Sequence, residues 1–101
     1  MYDGAKATLK MTQYLKDDKE LDENIYQCTV VEHRKENEQI HLLLASGKLT
    51  DLSLDAVYEC KISTIKGDTA CTGMVKERYE NRAGMILVFQ VINGFYEISV
   101  K

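Results

Sequence analysis

Apolar residues in this chain recur mostly at every second position, the spacing of a strand with one buried face. In Ala5–Leu15, Ala5, Ala7, Leu9, Met11 and Leu15 share one parity, with Gln13 the exception, while Lys6, Thr8, Lys10, Thr12, Tyr14 and Lys16 take the other. That alternation predicts a half-buried strand; a helix is the alternative, because Ala, Leu, Lys and Met are good helix formers. The polar linker Lys16–Asn24 follows. Ile25–His33 and Gln39–Ala45 are the next two strands, joined by Arg34–Glu38, and the second is apolar on both faces, as an interior strand is. The pattern breaks between Ser46 and Asp55, where a turn or helical turn is expected. Ala56–Ile65 resumes it, with Ala56, Tyr58, Cys60 and Ile62 on one face and Glu59, Lys61 and Ser63 on the other.

Lys66-Gly67-Asp68 is a turn signal, and Thr69–Tyr79 reads as the returning strand. Glu80–Gly84 is a further loop, with Gly84 suited to positive φ. Met85–Ile92 leads into Asn93-Gly94, the favoured residue pair of a two-residue hairpin turn. With that turn, Val91 faces Tyr96, Phe89 faces Ile98 and Leu87 faces Val100, all apolar and on one face, while Gln90, Glu97 and Ser99 lie on the other. The expected fold is all-β: a small antiparallel barrel of about six to seven strands in meander order, which buries one face and protects the strand edges.

With 101 residues the chain fits one domain, residues 1–101. Thirteen basic and sixteen acidic residues leave a net charge of −3, which argues against a nucleic-acid polymer as partner. No stretch approaches the roughly 18 apolar residues that cross a bilayer as a helix. The opening MYDGAKATLK lacks a basic segment followed by an apolar run, so no signal peptide and no membrane partner are expected. Cys28, Cys60 and Cys71, odd in number and irregular in spacing, read as reduced thiols of a cytoplasmic protein.

Few of the reactive side chains stand in an arrangement that does chemistry. There is no Cys-x-x-Cys, no pair of histidines at i, i+4, and Cys28 and His33 point to opposite faces of one strand. If Gly67-Asp68 sets the turn, Cys60 lies opposite Val75 and Cys71 opposite Thr64. The two thiols are then offset by roughly 13 Å, beyond the ~7 Å limit for a disulfide. No nucleophile elbow and no phosphate-cradling glycine loop occurs, and Asp17-Asp18 reads as a solvated turn. The expectation is a protein that is not an enzyme, with no catalytic residue, metal or cofactor. Lys76, Arg78 and Arg82 remain as candidate ligand-binding residues: two arginines near Tyr79 suit a phosphate and a stacked base. The plainer reading is a charged hairpin with Glu77 and Glu80 as neighbours.

The ordered segments Tyr26–Glu32 (YQCTVVE), Ile40–Ala45 (IHLLLA), Leu54–Ile62 (LDAVYECKI), Thr72–Lys76 (TGMVK) and Ile86–Gln90 (ILVFQ) resemble PilZ-like barrels. The closest likeness is to the N-terminal barrel module that precedes the PilZ domain in flagellar-brake proteins. The PilZ domain proper binds cyclic di-GMP through Arg-x-x-x-Arg followed by Asp/Asn-x-Ser-x-x-Gly. Arg78 and Arg82 have the first spacing, and Asp51–Ala56 approximates the second, with Ala56 where glycine belongs. Their order along the chain is reversed, so cyclic di-GMP binding is not carried over; the N-terminal module lacks that site, and its implied role is interdomain or protein–protein contact. The expected function is therefore an interaction or regulatory module with a protein partner. The alternatives are a cyclic dinucleotide receptor using Arg78 and Arg82, and a self-assembling homo-oligomer pairing through an edge strand such as Ala5–Leu15.

Overall fold

The computed structural model describes residues 2–15 and 20–97. Six strands, β1 (Lys6–Tyr14), β2 (Ile25–Arg34), β3 (Gln39–Leu44), β4 (Ala56–Thr64), β5 (Gly67–Asn81) and β6 (Gly84–Glu97), form one antiparallel sheet. The sheet closes into a barrel in the order β1-β2-β3-β6-β5-β4, with β1 pairing both β2 and β4. Closure takes away the free edge that assembly through Ala5–Leu15 needs, since Lys6–Lys10 is paired on both sides.

The alternation read from the sequence becomes the inside and outside of this ring. Ala7, Leu9 and Met11 of β1 and Ala56, Tyr58, Cys60 and Ile62 of β4 are buried. Gln13 breaks the parity because the β1–β4 register shifts between Met11 and Gln13. Beyond that bulge Tyr14 packs against the core and Leu15 is exposed. Tyr58, Phe89, Leu9, Ile40 and Leu42 fill the interior, so the ring has a packed core where a wider barrel has a lumen.

β3 and β4 lie on opposite sides of the ring, so the chain between them crosses one mouth of the barrel. A short 3-10 helix, Leu49–Asp51, lies in that crossing, and Leu52 after it is completely buried. Arg78 on β5 donates through Nη1 to the Leu49 and Leu52 carbonyl oxygens, and the Ser53 N–H donates to the Tyr58 hydroxyl at 2.9 Å. The opposite mouth is closed by three rings: Tyr2, His33 and Phe95, with centroids 5.2–5.3 Å apart.

Two turn expectations are corrected. The β4–β5 turn is Ile65-Lys66, with Thr64 paired to Gly67 at φ 128°, and not Lys66-Gly67-Asp68. The register moves accordingly, and Cys60 pairs directly with Cys71 instead of lying opposite Val75. The Asn93-Gly94 hairpin does not form: β6 runs straight through these residues, with Ala70 paired to Tyr96, Thr72 to Asn93 and Gly73 to Val91. Neither residue has the positive φ that the hairpin turn demands of both. Instead the β5–β6 register shifts twice here, and asparagine and glycine absorb the bulges. β6 therefore serves as one long strand where two were expected; the facing positions Ile98 and Val100 lie outside the described residues, as do Asp17-Asp18 and the rest of Lys16–Lys19. The Glu80–Gly84 loop contracts to the turn Arg82-Ala83, with Gly84 at φ 130° as its position requires.

The ring cluster makes stability depend on pH. Burial lowers the pKa of His33 from its ordinary 6.5, the chain's amino terminus and Lys35 lower it further, and Asp3 opposes them. The Nδ1 atom of His33 has no hydrogen-bond partner among the described residues. A histidine with a depressed folded pKa is protonated first in the unfolded chain. Its contribution is therefore fully present above the unfolded value and is lost as the pH falls through the folded one. Urea midpoints are expected to fall between about pH 7.5 and about pH 5.5, and His33→Phe, which keeps a ring in the cluster, is expected to flatten that slope.

Candidate functional site

A cleft of about 460 Å³ opens at the crossed mouth, lined by Asp22, Asn24, Ile25, Tyr26, Ser46, Gly47 and Asp51. One wall is the start of β2 and the residues before it; the other is the beginning of the chain that crosses the mouth. The Ser46 hydroxyl accepts from the Gln27 N–H at 2.9 Å, and the Ala45 N–H donates to the Gln27 carbonyl at 2.7 Å, which ties the walls together. Gly47 makes the close approach possible. It sits at φ 83°, and a Cβ there would lie 3.0 Å from Tyr26 Cε1 and 3.2 Å from Asp51 Oδ2.

Both carboxylates are held in place. Asp22 accepts from the Tyr26 hydroxyl through Oδ2, and from the Asn24 N–H at 3.0 Å through Oδ1. Asp51 Oδ2 accepts from the Lys48 N–H at 3.0 Å. Burial, aided by the hydrogen bond to Asp22, pushes the Tyr26 phenol up to about 12, so it remains a neutral donor. The cleft is an open site with fixed acceptors and two negative charges, suited to an ammonium or guanidinium group.

The arginine pair read from the sequence is placed differently. Arg78 is half-buried and its guanidinium is engaged by the Leu49 and Leu52 carbonyls, so it pins the crossing chain. Arg82 is exposed in the β5–β6 turn, on the order of 13 Å further along the chain. Tyr79 is exposed, on the wall face opposite Arg78. Lys76 is exposed at the bulge between Val75 and Glu77. Of the three basic side chains, Arg78 is thus engaged by the crossing chain, while Lys76 and Arg82 are exposed. Ser53 and Asp55, in the segment that resembles the second PilZ motif, form a local turn in which the Asp55 N–H donates to Ser53 Oγ at 3.0 Å.

Of the cleft residues only Asp51 stood out in the sequence, as part of Asp51–Ala56. Asp22 and Tyr26 meet Ser46 and Gly47 only because β2 and β3 pair, a contact with no local signature beyond the Gly47 turn. Among the described residues no group of three or more His, Cys, Asp or Glu is placed to hold a metal ion, and no helix is long and apolar enough to cross a membrane.

Fold and site together define an all-β domain, a closed six-stranded ring with a filled interior and a polar cleft on one rim. Comparison with family models, with curated proteins and with solved structures gave no match.

Proposed function

We propose that the chain is a non-enzymatic cytoplasmic interaction module of PilZ-like barrel type, whose rim cleft receives a basic side chain from a protein partner. The observation that carries the reading is the cleft itself: Asp22 and Asp51 line it together with Tyr26, at an opening too wide and polar to enclose an apolar small molecule. The packed interior supports it, because a ligand must then bind at a rim or on the outer wall. The engaged guanidinium of Arg78 counts against the cyclic dinucleotide alternative, since a phosphate would have to displace two carbonyl contacts.

Calorimetry with an oligo-arginine peptide, an oligo-glutamate peptide and cyclic di-GMP separates these readings. The arginine peptide alone is expected to bind, more weakly as salt rises. Asp22→Asn is expected to weaken it about tenfold, the loss of one charge-assisted contact. Heat with cyclic di-GMP at roughly 100 μM, with none from the arginine peptide, would overturn the proposal. So would a hydrolase or transferase activity of the purified chain that a point change abolishes.

A further inference from the structure

The corrected β4–β5 register places Cys60 and Cys71 directly across from each other, both wholly buried on the inner face of the ring. Counted from the two-residue turn, Thr64–Gly67 is the closing hydrogen-bonded pair, and Cys60–Cys71, four steps on, is of the same kind. Such pairs hold their Cα atoms about 5.5 Å apart, inside the range of about 4.4–6.8 Å that a disulfide spans. Hydrogen bonding with Cys71, then burial, raises the Cys60 thiol well above its usual value, which fits two sulfurs in contact.

The β5–β6 register shifts between Ala70 and Thr72, so Cys71 stands in a bulge opposite Gly94 and Phe95 with no ladder partner on that side. Its backbone is therefore not held by a ladder pair with β6. The third thiol is out of reach: β1 separates Cys28 from β4, with Ala7 paired to Cys28 on one side and Ile62 on the other. Two strand spacings make about 9.5 Å, more than the ~7 Å a disulfide allows.

We propose that Cys60 and Cys71 form a redox-modifiable dithiol, which a small disulfide oxidant such as glutathione disulfide closes into a cross-strand bond. One cysteine, as thiolate, attacks a sulfur of the oxidant; the oxidant's S–S bond breaks, one glutathione leaves, and a mixed disulfide forms. The other cysteine, as thiolate, attacks the protein sulfur of that intermediate. The Cys60–Cys71 bond forms and the second glutathione leaves. Two electrons pass from the protein to the oxidant, and the two protons of the protein thiols end on the two glutathiones. The facing Cβ atoms start near 5.5 Å and must close to about 3.8 Å, so the bond is strained and readily reduced. Oxidation proceeds through local opening of the hairpin, since both thiols are buried.

The test incubates the folded chain and the urea-denatured chain with glutathione disulfide, then alkylates and digests both with trypsin, which cuts after Lys61 and Lys66 and so separates Cys60 from Cys71. The folded chain is expected to yield a linked Cys60–Cys71 peptide from monomeric protein, with Cys28 alkylated and the link lost on adding a thiol reductant. Cys28→Ala, if it folds, gives the same link; the wild-type map decides without it. Linkage through Cys28, glutathione retained on either partner, or a folded chain whose Cys60 and Cys71 stay alkylatable where the denatured chain oxidises would each overturn the proposal.

Discussion

Gly73→Ala is expected to lower stability by about 3 kcal/mol or more, a large part of the roughly 5–15 kcal/mol that holds a domain folded. Gly73 is buried in β5 beside the double bulge of β6, and the irregular register brings the Gln90 carbonyl against it. An added Cβ would lie 2.1 Å from Gln90 O, 2.9 Å from Gln90 C and 2.9 Å from Phe89 Cε2. A side-chain clash relaxes by rotation; this one is mainly with backbone held in the barrel wall, so the strands must part. Urea unfolding checks it. A midpoint close to that of the unaltered chain would mean that β6 does not approach β5 in this way.

Phe89→Ala is expected to cost about 3–5 kcal/mol. Phe89 is completely buried and lies between Ile40 of β3 and Val75 of β5, both also buried. Truncation leaves a cavity that a closed ring cannot collapse, because every strand is held by neighbours on both sides. The two changes are coupled. Removing the ring relieves one of the contacts an alanine at position 73 would make, but not that with the Gln90 carbonyl. The double variant is therefore expected to lose less than the sum of the two, yet to stay less stable than Phe89→Ala alone.

The inward faces of β1 and β4 could be read from the sequence because a period of two is a local property of residues that share a strand. The Asn93-Gly94 reading failed for an equally local reason. A hairpin turn and a bulge draw on the same residues, and what decides between them is the length of the partner strand: β5 runs from Gly67 to Asn81 and keeps β6 paired past the glycine. The Cys60–Cys71 pairing was lost to a smaller error, since moving the turn back to Ile65-Lys66 shifts the whole ladder. Arg78 and Arg82 drew notice through their spacing, but the carbonyls that engage Arg78 come from a chain segment that crosses the barrel mouth, a connection no spacing reports. The cleft is likewise a product of β2–β3 pairing and of Gly47, and it appears only when the ring is closed.

With the interior filled, the proposed recognition of a basic side chain is assigned to the rim cleft. Amide chemical-shift mapping during titration with an oligo-arginine peptide tests it most directly. The shifts are expected to concentrate at Asn24, Tyr26, Gly47, Lys48 and Asp51, and in Asp22→Asn, with the fold intact, to need about ten times more peptide to reach the same size. Shifts centred on Arg82 and the β5–β6 turn, or at Tyr2, His33 and Phe95 around the opposite mouth, would contradict it.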